Sequence, residues 1–374
     1  MHYKMKFLKF IFKAILSFLS VSVVNAQGAK SDGEDLLQKH IAHRLSAGIT
    51  AGYASSDSIL WLGYEGYADK KAKKRVDSLT RFRTASIAKP ITAVAALQLY
   101  EQGKLDLDSP ISSYIPDFPI KGGDSITARH LLQNSSGIGA YEGNEWGSTT
   151  EYPTLRDAMR VFESRDLLFK PGTEYFYTSY GYVVLGWVIE QVSGQSYEDY
   201  ITEHIFTPAG MLHTGVEKFA EPFPELSELY DQKNSDPHKA RKRKNKLKRI
   251  ERGNLSNRTP GGGFYSTAQD ILKFGQAILN KQLLSEETMN MMWTDSGIKK
   301  EGNPYGLGWF LYGENPQYGQ VYGHSGGQSG ASSQLMILPR ENVVIVVLSN
   351  TSNVWEHVFG LSVNFFGVAV KGKP

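Results

Sequence analysis

Apolar and polar positions alternate near both ends of the chain in the pattern of β-strands. The stretches "GITAGYAS" and "SILWLGYEGYA", which begin at residues 48 and 58, predict the two strands of a hairpin, because successive side chains of a strand face opposite sides of a sheet. Towards the C-terminus, "SSQLMILP" and "NVVIVVLS" are short apolar runs that predict adjacent buried strands. The stretch "WEHVFGLSVNFFGVAV" then predicts a helix that packs on the sheet.

Helical spacing of apolar residues dominates between these strands. The stretch "ITAVAALQLY" predicts one buried helix, and "YGYVVLGWVIEQVSG" predicts another that is closed by Gly194. Thr127 is the predicted N-cap of a third helix, and Ser266 with Gln269 has capping-box spacing before a fourth. "GEDLLQKHIAHRLSAG", near the N-terminus, predicts a surface helix.

Residues 1–26 have the composition of a signal peptide. Four lysines precede a short apolar stretch, and small residues end it at Ala26. The apolar stretch is shorter than the roughly 20 residues of a spanning helix, so cleavage is favoured over an uncleaved anchor. The sequence therefore predicts an exported protein, periplasmic or secreted. Its formal net charge of +3 becomes −1 once the four lysines are removed.

The remaining length and pattern predict the architecture. A chain of this length exceeds what one hydrophobic core usually supports. We expect an α/β (α+β) fold with an antiparallel sheet flanked by helices, formed by both chain ends, residues 27–104 and 262–374. Residues 105–261 would form an inserted, mostly helical domain, and the cleft between the two would hold the site. Cysteine is absent, which excludes disulfides, a thiol nucleophile and cysteine-ligated zinc.

One segment is strongly basic. Residues 239–252, "KARKRKNKLKRIER", carry nine Lys or Arg and one Glu. The segment predicts a solvated loop or, alternatively, a contact with an anionic envelope surface. Nucleic acid is not an expected partner, because an exported chain without a recognisable binding motif has no use for such a contact.

A serine and a lysine stand together in "TASIAKP", residues 84–90. Positions i and i+3 of a helix share a face, so Ser86 and Lys89 can touch at the start of the apolar helix. Pro90 requires that the helix begin close to Ser86, since proline is tolerated only in the first turn. The same spacing recurs at residues 296–299, where no apolar helix follows.

Two further motifs follow in order along the chain. Tyr177-x-Ser179 precedes the second apolar helix, and His324-Ser325-Gly326 precedes the C-terminal strands. With these three motifs and stretches such as "GGGFYSTAQDILKF", the sequence resembles the serine β-lactamase and penicillin-binding protein superfamily over roughly residues 35–365. Within it the chain looks most similar to the class C-type and LACTB-like serine hydrolases.

The resemblance implies a set of roles. Ser86 would be the nucleophile of an acyl-enzyme, and Lys89 and Tyr177 would share its proton as a coupled pair whose formal base is undecided. The N–H groups of Ser86 and Gly327 would bind the oxyanion. Ser179, His324, Ser325 and the glycines 326 and 327 would contact substrate. No metal and no organic cofactor is implied.

Ser179 departs from the usual Tyr-x-Asn of the superfamily. A hydroxyl cannot make the two-sided contact of an amide, so β-lactam recognition is in doubt and a peptidase or esterase is favoured. The expected substrates are small peptides, including cell-wall fragments. Residues 138–153 are expected to form a loop over the cleft.

Three other hypotheses fit parts of the sequence. A non-catalytic or polymerising scaffold on the same fold, and hence a homo-oligomer, is one. "GHSGG" also fits a nucleophile elbow at Ser325, with only Glu341 and His357 left to complete a triad. His40 and His43 share a helix face as a metal site would require, although a solvent-facing pair is favoured because no carboxylate cluster accompanies them.

Overall fold

The computed structural model describes residues 26–371, except 117, 121, 123–124, 221–224, 233–245, 299–301, 303 and 317. The predicted signal peptide therefore lies outside the described residues, apart from Ala26. Within the described part of the chain, no helix combines the length and apolar character needed to cross a bilayer.

The described residues form strands and helices of very different lengths. The strands are β1 (Gly48–Ala54), β2 (Ile59–Asp69), β3 (Lys74–Arg75), β4 (Phe82–Arg83), β5 (Gly215–Val216), β6 (Leu229–Gln232), β7 (Leu247–Ile250), β8 (Phe264–Ser266), β9 (Phe310–Asn315), β10 (Gly319–Gln328), β11 (Ala331–Leu338), β12 (Val343–Ser349) and β13 (Thr351–Ser352). The helices are α1 (Ala26–Ala42), α2 (Ala88–Glu101), α3 (Ala128–Leu132), α4 (Leu155–Met159), α5 (Tyr180–Ser193), α6 (Tyr197–Ile201), α7 (Thr259–Gly262), α8 (Ala268–Leu279), α9 (Glu286–Met292) and α10 (Trp355–Lys371).

The main sheet has seven antiparallel strands in the order β3-β2-β1-β12-β11-β10-β9. Both chain ends contribute to it, because β1 pairs with β12, for example Ile49 with Ser349. The predicted hairpin and the predicted pair of buried strands are confirmed. The expected α/β class with a helix-flanked antiparallel sheet is therefore confirmed.

Both faces of the sheet are covered, which explains why β12 is apolar up to its last residue and why β11 ends in four consecutive apolar residues. One face belongs to a core shared with α2 and α8, and includes Leu335, Ile337, Val344 and Val346. The other face packs on α1 and α10 through Met336, Leu338, Val343 and Ile345. Alternate residues of β11 and β12 thus enter different cores, as the two-residue period of a strand requires.

Residues 105–261 hold mainly short helices and turns, with the long apolar helix α5 among them. They also contain strands. β6 pairs with β7 in antiparallel orientation and with β13 in parallel orientation. Their division from the rest as a separate domain stays a prediction. The prediction of a loop at residues 239–252 is wrong for Leu247–Ile250, which form strand β7. Residues 239–245 lie outside the described residues.

Helix-end predictions were partly correct. Thr127 caps α3 by accepting a hydrogen bond from the His130 backbone N–H, and Gly194 ends α5 in the left-handed conformation. The cap predicted at Ser266 is wrong by one residue. Thr267 caps α8, because Ser266 still belongs to β8 and its hydroxyl contacts Thr214 instead.

A buried ion pair fixes the strand that leads into residue 84. Arg83 and Glu217 are nearly inaccessible to solvent, and Arg83 Nε donates to Glu217 Oε2 at 2.8 Å. Arg83 also donates to the carbonyls of Ser329 and Gly253, at 3.1 Å each. The guanidinium therefore joins four separate segments.

Removing one partner of this pair should destabilise the protein strongly. Glu217→Gln leaves the Arg83 charge buried without its counterion, which costs about 3–5 kcal/mol. Urea unfolding followed by circular dichroism measures the change. As a control, Lys281→Gln removes an exposed partner of Glu286 and should cost less than about 1 kcal/mol. Equal losses in the two variants would contradict the prediction.

His40 differs from the prediction of a solvent-facing pair. Its ring is buried and its Nε2 lies 2.8 Å from Ser46 Oγ, whereas His43 is exposed. Burial, with His357 and His43 nearby, lowers the pKa of His40 from 6.5 to about 3. The imidazole is therefore neutral in the folded protein and serves as a packing and hydrogen-bonding group.

This shift predicts a loss of stability in acid. The unfolded chain binds a proton at His40 as the pH falls below 6.5, and the folded protein does not until about 3. From about pH 7.5 to about 5.5, His40 should lower the free energy of unfolding by about 1.4 kcal/mol. Urea titrations at several pH values would show a shallower pH dependence in His40→Gln, which retains a polar group for Ser46. Identical slopes in both proteins would exclude His40 as the cause.

Candidate active site

Ser86 lies on a tight turn at the start of α2. Residues Ala85–Ile87 form a 3-10 turn that leads directly into the helix, as the position of Pro90 predicted. The preceding residue, Ala85, has a φ of +49°, a left-handed conformation that costs a non-glycine residue stability. The surrounding structure stabilises it: Thr84 N donates to Phe264 O at 2.9 Å, and Ser333 Oγ donates to Thr84 O at 2.6 Å.

Lys89 lies one turn further on and is completely buried. Its Nζ donates to Ser86 Oγ at 3.3 Å, Ser179 Oγ at 3.0 Å and Gly261 O at 2.8 Å. Burial, reinforced by the positive charge of Arg258, lowers the pKa of the Lys89 amine well below its usual value. The amine therefore has access to its neutral form, in which it can accept a proton from Ser86.

A glycine turn supplies the third partner of Lys89. In α7, a Cβ on Gly261 would lie 2.9 Å from Ser179 Cβ, so only glycine lets the turn approach so closely. The turn is also tied to α2, since Thr92 Oγ1 lies 2.6 Å from both Pro260 O and Tyr197 OH. No site role was predicted for this glycine run, because its contact with Lys89 depends on residues far away in the sequence.

Tyr177 lies over the same amine. The Lys89 Nζ atom is 4.6 Å from the centre of the Tyr177 ring. Burial raises the pKa of the Tyr177 phenol well above its usual value, and a hydrogen bond with Ser86 opposes the increase. Around Tyr177 pack the rings of Tyr305, Phe310 and His324. The phenol is therefore protonated where the Lys89 amine is neutral.

Strand β10 passes beside the Ser86 turn. A Cβ on Gly326 would lie 2.7 Å from Thr84 O and 3.0 Å from Ala85 Cβ, so this position requires glycine. Gly327 has open space around its Cα and is exposed. His324 is fully buried, with Nε2 3.1 Å from Tyr305 OH, and therefore supports the aromatic cluster around Tyr177 from behind.

Ser325 faces away from Ser86, in the direction opposite to its two neighbours on the strand. Its Oγ donates to Gln334 Oε1 at 2.6 Å and lies 2.9 Å from Tyr312 OH. A nucleophile elbow requires a sharp turn from strand to helix, whereas Ser325 is inside β10 and β11 follows. The elbow hypothesis is therefore wrong.

A cavity of about 210 Å³ opens above Ser86. Of the predicted site residues, Ser86, Tyr177, Ser179 and Gly327 line it, while Lys89 closes it from below. The predicted cleft loop 138–153 contributes Ala140, Tyr141 and Trp146 to the same cavity. Arg258 and Gln328 also line it, and neither was predicted from the sequence.

Arg258 is a buried cation beside this cavity. Its guanidinium donates to the carbonyls of Glu145 and Trp146 at 2.9 Å each and to Asn257 Oδ1 at 2.8 Å. It also lies over the rings of Tyr141 and Trp146, at 4.4 and 4.8 Å from their centres. Arg258 therefore shapes the cleft loop and contributes positive charge near Lys89.

Comparison with known proteins agrees with this arrangement. The family described as Beta-lactamase matches residues 34–359. The chain belongs to the beta-lactamase family.

The relatives of this member of the beta-lactamase family include proteins of different kinds. The human serine beta-lactamase-like protein LACTB, mitochondrial, is 30% identical, with 84% of this chain and 72% of that protein covered. The putative penicillin-binding protein PbpX of Bacillus subtilis is 35% identical, with coverage of 66% and 57%. The crystal structure of a D-stereospecific amidohydrolase from Streptomyces sp. is 26% identical with a TM-score of 0.71, with coverage of 87% and 94%. The similarities of the present chain therefore extend to a hydrolase with the same overall fold.

The reactivity of Ser86 should follow the protonation of Lys89. Because the amine can take up the Ser86 proton only in its neutral form, labelling of Ser86 by a fluorophosphonate should rise with pH through the lowered pKa of Lys89 and then level off. Arg258→Met removes a nearby positive charge, so the midpoint of this rise should move to higher pH. Labelling rates measured by mass spectrometry over a pH series test this.

Arg258→Lys is the matched control, because it retains the charge and loses most of the hydrogen bonds to the cleft loop. Its midpoint should stay close to that of the unmodified protein, even if the rate falls. A midpoint that moves equally in both variants would show that loop geometry, and not charge, controls Lys89.

Proposed function

We propose that the protein is an exported serine hydrolase that cleaves amide or ester bonds of small peptides through an acyl-enzyme on Ser86. The observation that carries the proposal is the hydrogen bond, 3.3 Å long, between Ser86 Oγ and the buried amine of Lys89. A serine hydroxyl is a poor nucleophile without a neighbouring base, and a buried lysine with a lowered pKa is such a base.

The opposite pKa shifts of the two neighbours suggest how the proton moves. Neutral Lys89 accepts the Ser86 proton as the hydroxyl attacks the carbonyl carbon, and the ester bond to Ser86 forms. Protonated Tyr177 donates its proton to the leaving amine or alcohol and regains one from Lys89. Water then attacks the carbonyl carbon of the acyl-enzyme and gives up a proton to the Lys89–Tyr177 pair. The ester bond to Ser86 breaks, the acid product leaves, and Ser86 Oγ regains a proton from the same pair. The N–H groups of Ser86 and Gly327 stabilise the oxyanion in both steps.

The outer edge of β10 supports a peptide as the substrate. Among the described residues, the pairing of β9 with β10 ends at Gly323, before Gly326 and Gly327 beside the Ser86 turn. An extended peptide could add to this edge as a further strand. The similarity to the D-stereospecific amidohydrolase and to PbpX makes amides of D-amino acids and cell-wall fragments the first substrates to examine.

Two segments outside the cavity, residues 1–26 and 239–252, support a proposal about the cellular compartment of the protein. Export rests on the composition of residues 1–26. An anionic envelope surface remains a proposed contact for residues 239–252, of which Lys246 and the β7 side chains Lys248 and Arg249 are exposed. Arg249 is paired with Glu228, so Lys246 and Lys248 are the better candidates.

The second candidate is the alternative already raised from the sequence, a non-catalytic or polymerising scaffold on the same fold. Such a protein would retain the fold without turnover, and a homo-oligomer would then carry its function. The buried Ser86–Lys89 pair argues for catalysis, since a scaffold has no need of a base beside a serine. The two functions differ in a direct chemical test.

Ser86 should react covalently with a fluorophosphonate probe. Peptide mapping by mass spectrometry should find the adduct on the peptide that contains "TASIAKP", and Ser86→Ala should abolish it. Hydrolysis of a D-amino acid amide should fall on the order of 10³-fold or more in the same variant.

Ser296→Ala is the matched control, because Ser296 begins the other S-x-x-K stretch and lies in a polar loop. Its labelling and turnover should equal those of the unmodified protein. A folded protein without an adduct on Ser86 would reject the proposed hydrolase and favour the scaffold.

A further inference from the structure

A second and larger cavity adjoins the one above Ser86. It measures about 1050 Å³, and Trp146, Gly327 and Gln328 line both cavities. The larger cavity extends from these residues towards the β6–β7 hairpin and the start of α10. A substrate bound at Ser86 therefore has a continuous path along the end of β10 into the larger space.

Gln328 stands at the junction of the two cavities. The residue is 5% exposed, and among the described residues its Nε2 atom has no hydrogen-bond partner. A buried amide N–H₂ without a partner is costly, so such groups mark places where a ligand completes the hydrogen bonding. Gly262 also lines the smaller cavity, and a Cβ on it would lie 3.6 Å from Gln328 Oε1, so the oxygen end of the amide lies beside that cavity.

The side-chain amide of Gln328 also compensates for the asparagine amide that Ser179 replaces in the Tyr-x-Asn motif. Ser179 Oγ already accepts a hydrogen bond from Lys89, and it offers no carbonyl oxygen. Gln328 has both a donor and an acceptor, and rotation about its last side-chain torsion costs little. It can therefore make the two-sided contact with a peptide group that the hydroxyl of Ser179 cannot make.

The larger cavity has a mixed lining. Its charged groups are Asp231, Glu251, Glu356, Arg252 and His357, and Trp146, Ile250 and Trp355 add apolar surface. A peptide chain fits such a lining, because its backbone can exchange hydration for hydrogen bonds while its side chains contact the apolar part. Tyr177, the proposed proton donor to the leaving group, lines the smaller cavity and not the larger one, so we assign the larger cavity to the acyl side of the scissile bond.

We propose that Gln328 determines specificity by binding the peptide group next to the scissile carbonyl, on the acyl side, while the rest of the acyl peptide occupies the larger cavity. The inference rests on the proposed function of Ser86. The preferred substrate class is accordingly an N-acylated amino acid or longer peptide in amide or ester linkage, and not a simple acyl ester.

Three phenyl esters with the same leaving group test this role: phenyl acetate, phenyl N-acetylglycinate and the phenyl ester of N-acetyltriglycine. The first has no acyl-side peptide group, the second has one, and the third reaches the larger cavity. Gln328→Ala should lower kcat/KM about tenfold to a hundredfold for the second and third esters and change it less than about twofold for phenyl acetate. Gln328→Glu retains the shape but not the N–H₂ donor, so it should show the same pattern.

A second variant tests the larger cavity separately. Thr149 lines only that cavity and is exposed, so Thr149→Trp should narrow it without disturbing the core. It should lower kcat/KM for the triglycine ester alone. Losses from Gln328→Ala that are equal for all three esters, or absent for all three, would overturn the proposed role of Gln328.

Failure of the proposed function has a different signature. An unmodified protein that hydrolyses none of the esters and carries no fluorophosphonate on Ser86 would reject both proposals. A protein that labels at Ser86 and hydrolyses phenyl acetate, but gains nothing from the acyl-side peptide group, would reject only the inference about Gln328.

Discussion

The buried amine of Lys89 constrains the whole site. An amine without water must have its hydrogen-bond partners within the protein. One partner, Ser86, lies on the turn before the same helix, and the other two come from distant segments, the residue before α5 and the glycine turn of α7. These segments must therefore be held together around one atom. The same burial lowers the pKa of the amine, so the requirement that organises the structure also favours the neutral form that the proposed mechanism needs.

Two close approaches make this arrangement possible. Gly261 lets α7 lie against Ser179, and Gly326 lets β10 lie against the Ser86 turn. A Cβ would lie 2.9 Å from Ser179 Cβ at Gly261 and 2.7 Å from Thr84 O at Gly326, so these segments would have to move apart, and the hydrogen bonds of Lys89 leave little tolerance for such a shift. The Arg83–Glu217 pair supports the same region from behind, since Arg83 binds the carbonyl of Ser329 in the turn that follows β10.

Local patterns predicted the sheet, the helices and the Ser86–Lys89 pair, because each is encoded by spacing of two, three or four residues. Arg258 and Gln328 could not be found in this way, since their importance comes from neighbours more than 50 residues away. The cap at Thr267 was missed because Ser266 and Thr267 both have suitable spacing, and only the extent of β8 decides between them. His40 was assigned to solvent because its partner Ser46 and its burial depend on packing with distant elements.

The pairing of β1 with β12 has a consequence for the order of events in folding. Ile49 meets Ser349, so the sheet closes only when nearly the entire chain is available. Ser333 of β11 holds the backbone at Thr84, and Gly326 of β10 lies beside it. A nascent chain in which Ser86 and Lys89 have been synthesised, but β10 to β12 have not, still lacks these contacts. The surroundings of Ser86 and Lys89 are therefore completed only when the last strands are added, which makes the site one of the late, long-range features of folding.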